Sequence, residues 1–248
     1  MERTIKLTLE YDGAAYHGWQ RQGERPTVQG EVEKALARMT GASVTVHGSG
    51  RTDAGVHALA QVAHFRLETR LSPAEFLRGL NSLLPFDISV THCEEAAPDF
   101  HARKSALGKT YAYHVLNAPV RSALGRRYAW HVPRPLDLSA MREAARRLVG
   151  THDFAAFEGA GSPRAHTVRT VTAADFSRTG DLLVFSVSAD GFLRCMVRNM
   201  AGTLVFAGLG KIAPEEVTEI LASRDRRRAG PTAPPQGLFL VEVRYRLV

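Results

Sequence analysis

The chain has 248 residues, 44% hydrophobic and 23% charged, the balance of a globular protein with length for one large domain or two ordinary ones. No run of about 18 apolar residues occurs, so a membrane span is excluded, and the start enters a strand pattern without the apolar core of a signal peptide. Cytoplasm is the expected compartment. A formal charge of +7 favours a polyanionic partner, nucleic acid being the commonest, although solvated surface arginines alone would also produce it.

Taken in chain order, Ile5 to Tyr11 alternates apolar and polar residues as a half-buried strand should. After a polar, aromatic loop, Thr27 is placed to cap a helix running to about Met39, with Val28, Val32, Ala35, Leu36 and Met39 on one face and Glu31 near the capping-box spacing. Ser43–Val46 and Gln61–Leu67 read as strands. Ser72 followed by Pro73 announces a second helix to about Leu84, and Ile88 to Cys93 reads as the next strand. Cys93 and Cys195 show no CxxC spacing, which argues against a disulfide and against a metal cluster.

The second half opens with a strand from Thr110 to Leu116, then a helix from Ser139 to Leu148. Val168–Phe176 and Leu182–Ser188 suggest a hairpin around Thr179-Gly180-Asp181. Phe192 to about Ala207 has helical apolar spacing, Pro214 to Ala222 is a short helix with acidic residues in its first turn, and Gly237 to Leu247 closes the chain as a strand. Strands and helices mixed in this way point to an α+β fold with a mixed, mostly antiparallel sheet. The β-α-β-α-β order in each half divides the chain at 1–105 and 106–248, two lobes around a central cleft.

The densest chemistry lies in Gly48-Ser49-Gly50-Arg51-Thr52-Asp53-Ala54-Gly55-Val56-His57, where three glycines bracket one carboxylate between two expected strands. Glycine allows a sharp, closely approached loop, and a rigid frame of this kind can present a catalytic side chain. An ordinary turn, with the aspartate bonding its own backbone, has the same composition. The run G-R-T-D-A-G-V-H followed by A-x-x-Q-V-A-H-F resembles the signature of the tRNA pseudouridine synthase A family. Four further segments extend the resemblance across nearly the whole chain: Tyr11-Asp12-Gly13 to Gly18-Trp19-Gln20, Asp99 to Tyr113, Gly191 to Asn199, and Ala229 to Leu238. Three positions depart from the family pattern. Ala60 stands where glycine is expected, and Arg194-Cys195 replaces an aromatic residue and histidine.

The resemblance implies the pseudouridine synthase fold, with two ferredoxin-like halves. Residues 1–105 would carry the catalytic loop and 106–248 would complete the cleft. It implies isomerisation of uridine to pseudouridine in the anticodon arm of tRNA, at nucleotides 38, 39 and 40, by a homodimer without metal or organic cofactor. Asp53 maps to the catalytic nucleophile, at C1′ or at C6 of the base. A buried carboxylate stays ionised only beside a cation, and Arg198 occupies the position that the family pairs with it. Tyr111 would stack on uracil, with Tyr113, on the same strand face, as a packing ring. Arg51 would fill the space left by the flipped base. Phe100, His101, Ala102, Arg103 and Lys104 form a basic, aromatic segment suited to phosphates and bases. His47, His57 and His64 flank the loop without HExxH spacing and read as hydrogen-bonded or core residues, and Arg226-Arg227-Arg228 reads as surface or RNA-facing. Two rivals remain: an RNA-binding protein in which Asp53 only shapes a turn, and a metal-dependent phosphate hydrolase.

Overall fold

The computed structural model describes residues 2–159, 161 and 166–246. In chain order the elements are β1 (Glu2–Tyr11), α1 (Val28–Thr40), β2 (His47–Gly48), β3 (His57–Glu68), α2 (Pro73–Leu83), β4 (Ile88–Ala96), β5 (Gly108–Leu116), β6 (Trp130–His131), α3 (Leu138–Arg146), β7 (Gly150–Asp153), β8 (Val168–Thr179), β9 (Leu182–Ala189), α4 (Met196–Gly208), α5 (Glu216–Ser223) and β10 (Leu238–Arg244). They form two compact units. One runs up to Leu107 and takes in the chain from Phe239 onward; the other is Gly108–Leu238.

In the first unit β1 lies between β4 and β3, antiparallel to both, and β10 joins β3 in parallel through Phe239↔His57 and Leu240↔Ala58. The alternation seen in the sequence puts Ile5, Leu7 and Leu9 of β1 fully inside, together with Val28, Val32 and Leu36 of α1. Phe65 of β3 meets Phe76 of α2 edge-on at 5.3 Å. Each such side chain contributes about 1.5–3 kcal/mol by leaving water. Ser72 caps α2 in a full capping box: its backbone N–H donates to Glu75 Oε2 at 2.7 Å and its Oγ accepts from Glu75 N at 3.3 Å.

The strand expected at Ser43–Val46 does not form. Val44 and Val46 are buried, but the Val46 N–H donates to Glu33 Oε1 at 3.0 Å and its carbonyl accepts from Gln29 Nε2 at 3.1 Å. Two side chains of α1 thus replace a ladder partner, and pairing begins only at His47↔His64. Leu247, the expected end of the closing strand, lies outside the described residues; β10 itself ends at Arg244.

In the second unit β5, β9, β8 and β7 pair antiparallel in that order, with β6 added to β5 in parallel. The expected hairpin forms with Thr179↔Leu182 flanking Gly180-Asp181, and Gly180 has φ 59°. Met141, Ala144 and Ala145 of α3 and Met200, Ala201 and Leu204 of α4 supply the helical side of its core. β7 escapes the sequence reading because Gly-Thr-His-Asp is too short and too polar to show alternation. Each unit is α+β with mostly antiparallel pairing, in line with the order of elements along the chain. Among the described residues, no helix is long and apolar enough to cross a membrane.

Candidate active site

Asp53 sits half-buried in a loop held by a series of hydrogen bonds. Ser49 N donates to Val62 O at 2.7 Å and its hydroxyl to Gln61 Oε1 at 2.7 Å. Gln61, fully buried on β3, returns its amide to Gly50 O at 3.0 Å and to the Tyr11 hydroxyl at 3.5 Å. The Tyr11 hydroxyl also meets Thr52 Oγ1 at 2.8 Å, and burial pushes its pKa up to about 12. Thr52 O accepts from Trp19 N at 3.1 Å, and the Asp53 carbonyl accepts from Val56 N at 3.1 Å. Thr52, next to the carboxylate, is therefore held by both its hydroxyl and its carbonyl, and the Asp53 backbone by Val56.

The loop beginning at Asp12 presses directly on this one. A Cβ at Gly13 would stand 2.0 Å from Val56 O, and one at Gly18, whose φ is +89°, 2.4 Å from Thr52 O. Only glycine fits both places. Arg51 is exposed, and its Nε donates to Gln20 Oε1 at 3.2 Å. His57 is buried beneath the loop; its Nδ1 lies 3.1 Å from the Gly13 N–H and 3.0 Å from Asp12 Oδ1.

The segment from Phe100 to Lys104 is built around Ala102, which is fully buried. Its N–H donates to His64 Nδ1 at 3.2 Å and its carbonyl accepts from the Tyr245 hydroxyl at 2.6 Å. Phe100 packs on Tyr245 with ring centroids 5.2 Å apart, and Lys6 Nζ lies 5.4 Å from its ring. His101 Nδ1 accepts from the Arg103 N–H at 3.1 Å. That turn leaves the Arg103 and Lys104 side chains exposed. His47, His64 and His101 gather at ring separations of 4.7 to 5.6 Å. Burial, then the neighbouring His101 and His47, pulls the His64 pKa down to about 4, so this ring is neutral at neutral pH. Among the described residues, no group of three or more His, Cys, Asp or Glu is arranged to hold a metal ion.

The second unit carries Tyr111 and Arg198. Tyr111 is 7% exposed on β5, edge-on to Phe192 at 5.0 Å. Tyr113 is wholly buried and donates its hydroxyl to Pro234 O at 2.7 Å, while a Cβ at Gly237 would lie 2.7 Å from its ring. Tyr113 is the more deeply buried ring of the pair. α4 begins at Met196 rather than near Phe192 because Cys195 takes a left-handed conformation, φ 57°, which breaks the helical run. Arg198, on the first turn of α4, is half-buried and donates from Nε to Ala233 O at 2.8 Å. Its own carbonyl accepts from the Ala233 N–H at 3.0 Å.

Sequence reasoning missed the residues that hold these side chains. Gln61, Tyr11 and Asn199 are buried polar groups at otherwise apolar positions, and that mismatch is the signal that could have marked them. Arg226 is a correction of a different kind. Rather than facing solvent with Arg227 and Arg228, it turns inward onto Asn199, Thr232 and Gly230, because four neutral oxygens there form a receptacle for a guanidinium.

A family model described as tRNA pseudouridine synthase matches residues 8–103 and 144–246. The first stretch contains Asp53 and its loop, the second Arg198 and the segment that Arg198 touches. A protein of Moorella thermoacetica named tRNA pseudouridine synthase A is 50% identical over 243 residues, covering 97% of this chain and 99% of the relative. Proteins of the same name from Thermoanaerobacter sp. (strain X514) and Myxococcus xanthus are 45% and 49% identical, covering 98% of this chain and 100% and 92% of theirs. Matches of this strength span both units and leave little of the chain outside them. The chain belongs to the tRNA pseudouridine synthase family.

Proposed function

We propose that the chain isomerises uridine to pseudouridine in the anticodon arm of tRNA, at nucleotides 38, 39 and 40. The C1′–N1 glycosidic bond breaks and C5 bonds to C1′. C5 releases its proton to water while N1 takes one up, so the product is an isomer and nothing is consumed. Asp53 is the nucleophile, attacking C1′ or C6, and Arg198 supplies the positive charge that keeps its carboxylate ionised. Tyr111 stacks on the uracil, Arg51 occupies the gap left by the flipped nucleotide, and Phe100 to Lys104 grip the RNA through two cations and two rings. Two copies of the chain share one tRNA, in the cytoplasm, and the reaction draws on no cofactor. In this reading residues 1–105 carry the nucleophile and 106–248 supply its charge partner and stacking ring.

The observation that carries the proposal is the clamped loop around Asp53. Its neighbours Thr52 and Val56 are tied by backbone or side-chain bonds to Trp19, Tyr11 and the Asp53 carbonyl itself. A carboxylate that only shaped a turn would not call for buried tyrosine and glutamine partners from two strands. The test uses tRNA carrying tritium at uridine C5, incubated with purified protein in EDTA. Release of tritium to water is expected from the wild type and none above background from Asp53→Asn, with unchanged thermal melting. Binding without release would favour an RNA-binding protein, and loss of release in EDTA a metal-dependent enzyme.

A further inference from the structure

Arg226, in the second unit, is held by several hydrogen bonds and has no part in the reaction above. It is half-buried, and all four of its acceptors are neutral oxygens. Nη1 donates to Gly230 O at 2.8 Å and more weakly to Ala229 O at 3.4 Å; Nη2 donates to Asn199 Oδ1 at 2.9 Å and Thr232 Oγ1 at 3.0 Å. The Thr232 hydroxyl donates to Asn199 Oδ1 at 2.6 Å, and Asn199 Nδ2 donates to Phe157 O at 2.7 Å. Asn199 is fully buried and directly follows Arg198 on α4.

The segment that Arg226 holds is the one Arg198 leans on. Gly230 N donates to Thr203 Oγ1 at 2.9 Å, and Arg198 and Ala233 exchange two bonds, N–H to carbonyl at 3.0 Å and Nε to carbonyl at 2.8 Å. The approach is close: a Cβ at Gly202 would stand 1.7 Å from Pro231 O. A guanidinium is suited to this place because its planar fork reaches backbone and side-chain oxygens together, which an ammonium cannot.

We infer that Arg226, with Asn199 and Thr232, is a positioning residue that locks residues 229–233 onto α4 and thereby fixes the Arg198 side chain through the Ala233 carbonyl. The inference rests on Arg198 acting in the proposed isomerisation. Arg226 itself touches no substrate. Its contribution is to hold one guanidinium where a displacement of about 1 Å can cost about a hundredfold in rate.

The experiment is a double-mutant cycle on the full chain with C5-tritiated tRNA, under single-turnover conditions. Arg226→Met is expected to slow release by about a hundredfold while tRNA affinity changes less than about threefold, and Arg226→Lys to recover part of the loss. In an Arg198→Met background the same substitution should cost nothing further, because its effect runs through the missing side chain. Equal losses in both backgrounds, or an unchanged rate in the single variant, overturn the inference. Should Arg226→Met fail to fold, Thr232→Val removes only the bridging hydroxyl and carries the same expectation in smaller measure. A separate arm follows the Arg198 Nε–H by 15N NMR: slow exchange with water in the wild type, fast exchange in Arg226→Lys or Thr232→Val. Slow exchange retained in those variants would also overturn it. That arm stands even if the wild type releases no tritium, an outcome that would sink the isomerase reading alone.

Discussion

The Tyr11 hydroxyl illustrates how single residues set the candidate site. It is buried at the end of β1 and meets both Thr52 and Gln61, so it links the strand frame to the residue beside Asp53. Tyr11→Phe removes one oxygen and leaves the Thr52 hydroxyl and the Gln61 amide each short of a partner, at a cost of about 1–3 kcal/mol. A urea melt should register that loss, with the slope of the transition unchanged; an unshifted midpoint would mean the two bonds contribute nothing. Turnover should fall more than affinity, since the loop's position is disturbed and the RNA-gripping segment is not. The glycine-bracketed loop that carries Asp53 was legible at this scale because its residues are consecutive in the chain. Gln61 and Asn199 were not, since nothing local reveals what a buried amide bonds to.

Among the elements, α4 and residues 229–233 lie in close contact. Gly202 faces Pro231, and Gly230 faces Thr203, where an added Cβ would meet the Thr203 Cα at 2.6 Å. Gly202→Ala must therefore push the segment outward, straining the Ala233–Arg198 exchange even though alanine favours the helix by about 1 kcal/mol. The expected outcome is a lower melting temperature together with slower tritium release; a more stable variant with normal turnover would show that the contact can relax freely. Helix existence was readable from periodicity, and Ser72-Pro73 marked the start of α2. The start of α4 was not readable, because the left-handed turn at Cys195 has no glycine to announce it. Ser43–Val46 has strand composition, yet the Val46 N–H and carbonyl bond the Glu33 and Gln29 side chains, a tertiary choice that overrides propensity.

For the molecule as a whole, charge and protonation set the working range. His64 is held near pKa 4 in the folded chain against about 6.5 when unfolded, so the unfolded state binds the extra proton first. Stability from this ring is complete above about pH 6.5 and declines as pH falls from there towards 4. Glu94 and Asp153, whose carboxyls are held below their ordinary values by hydrogen bonds to Lys6 and Thr167, add their own loss at lower pH still. Melting temperature should therefore be flat from pH 7 to 8 and drop by pH 5. His64→Gln keeps an acceptor for the Ala102 N–H and should shrink that drop; an identical pH profile in the variant would remove His64 from the account.

Local order in the chain was enough to determine the longer strands and helices of both units, the α+β class and the loop that carries Asp53. These depend on the spacing of apolar residues and on glycines a few positions from a carboxylate, and both are written consecutively. Packing alone decided that Phe239 and Leu240 return to β3, and that Arg226, the first of three consecutive arginines, turns inward while Arg227 and Arg228 stay outside. Such choices depend on which distant oxygens and rings arrive beside a side chain once the elements close together, and no periodicity along the chain encodes that arrival.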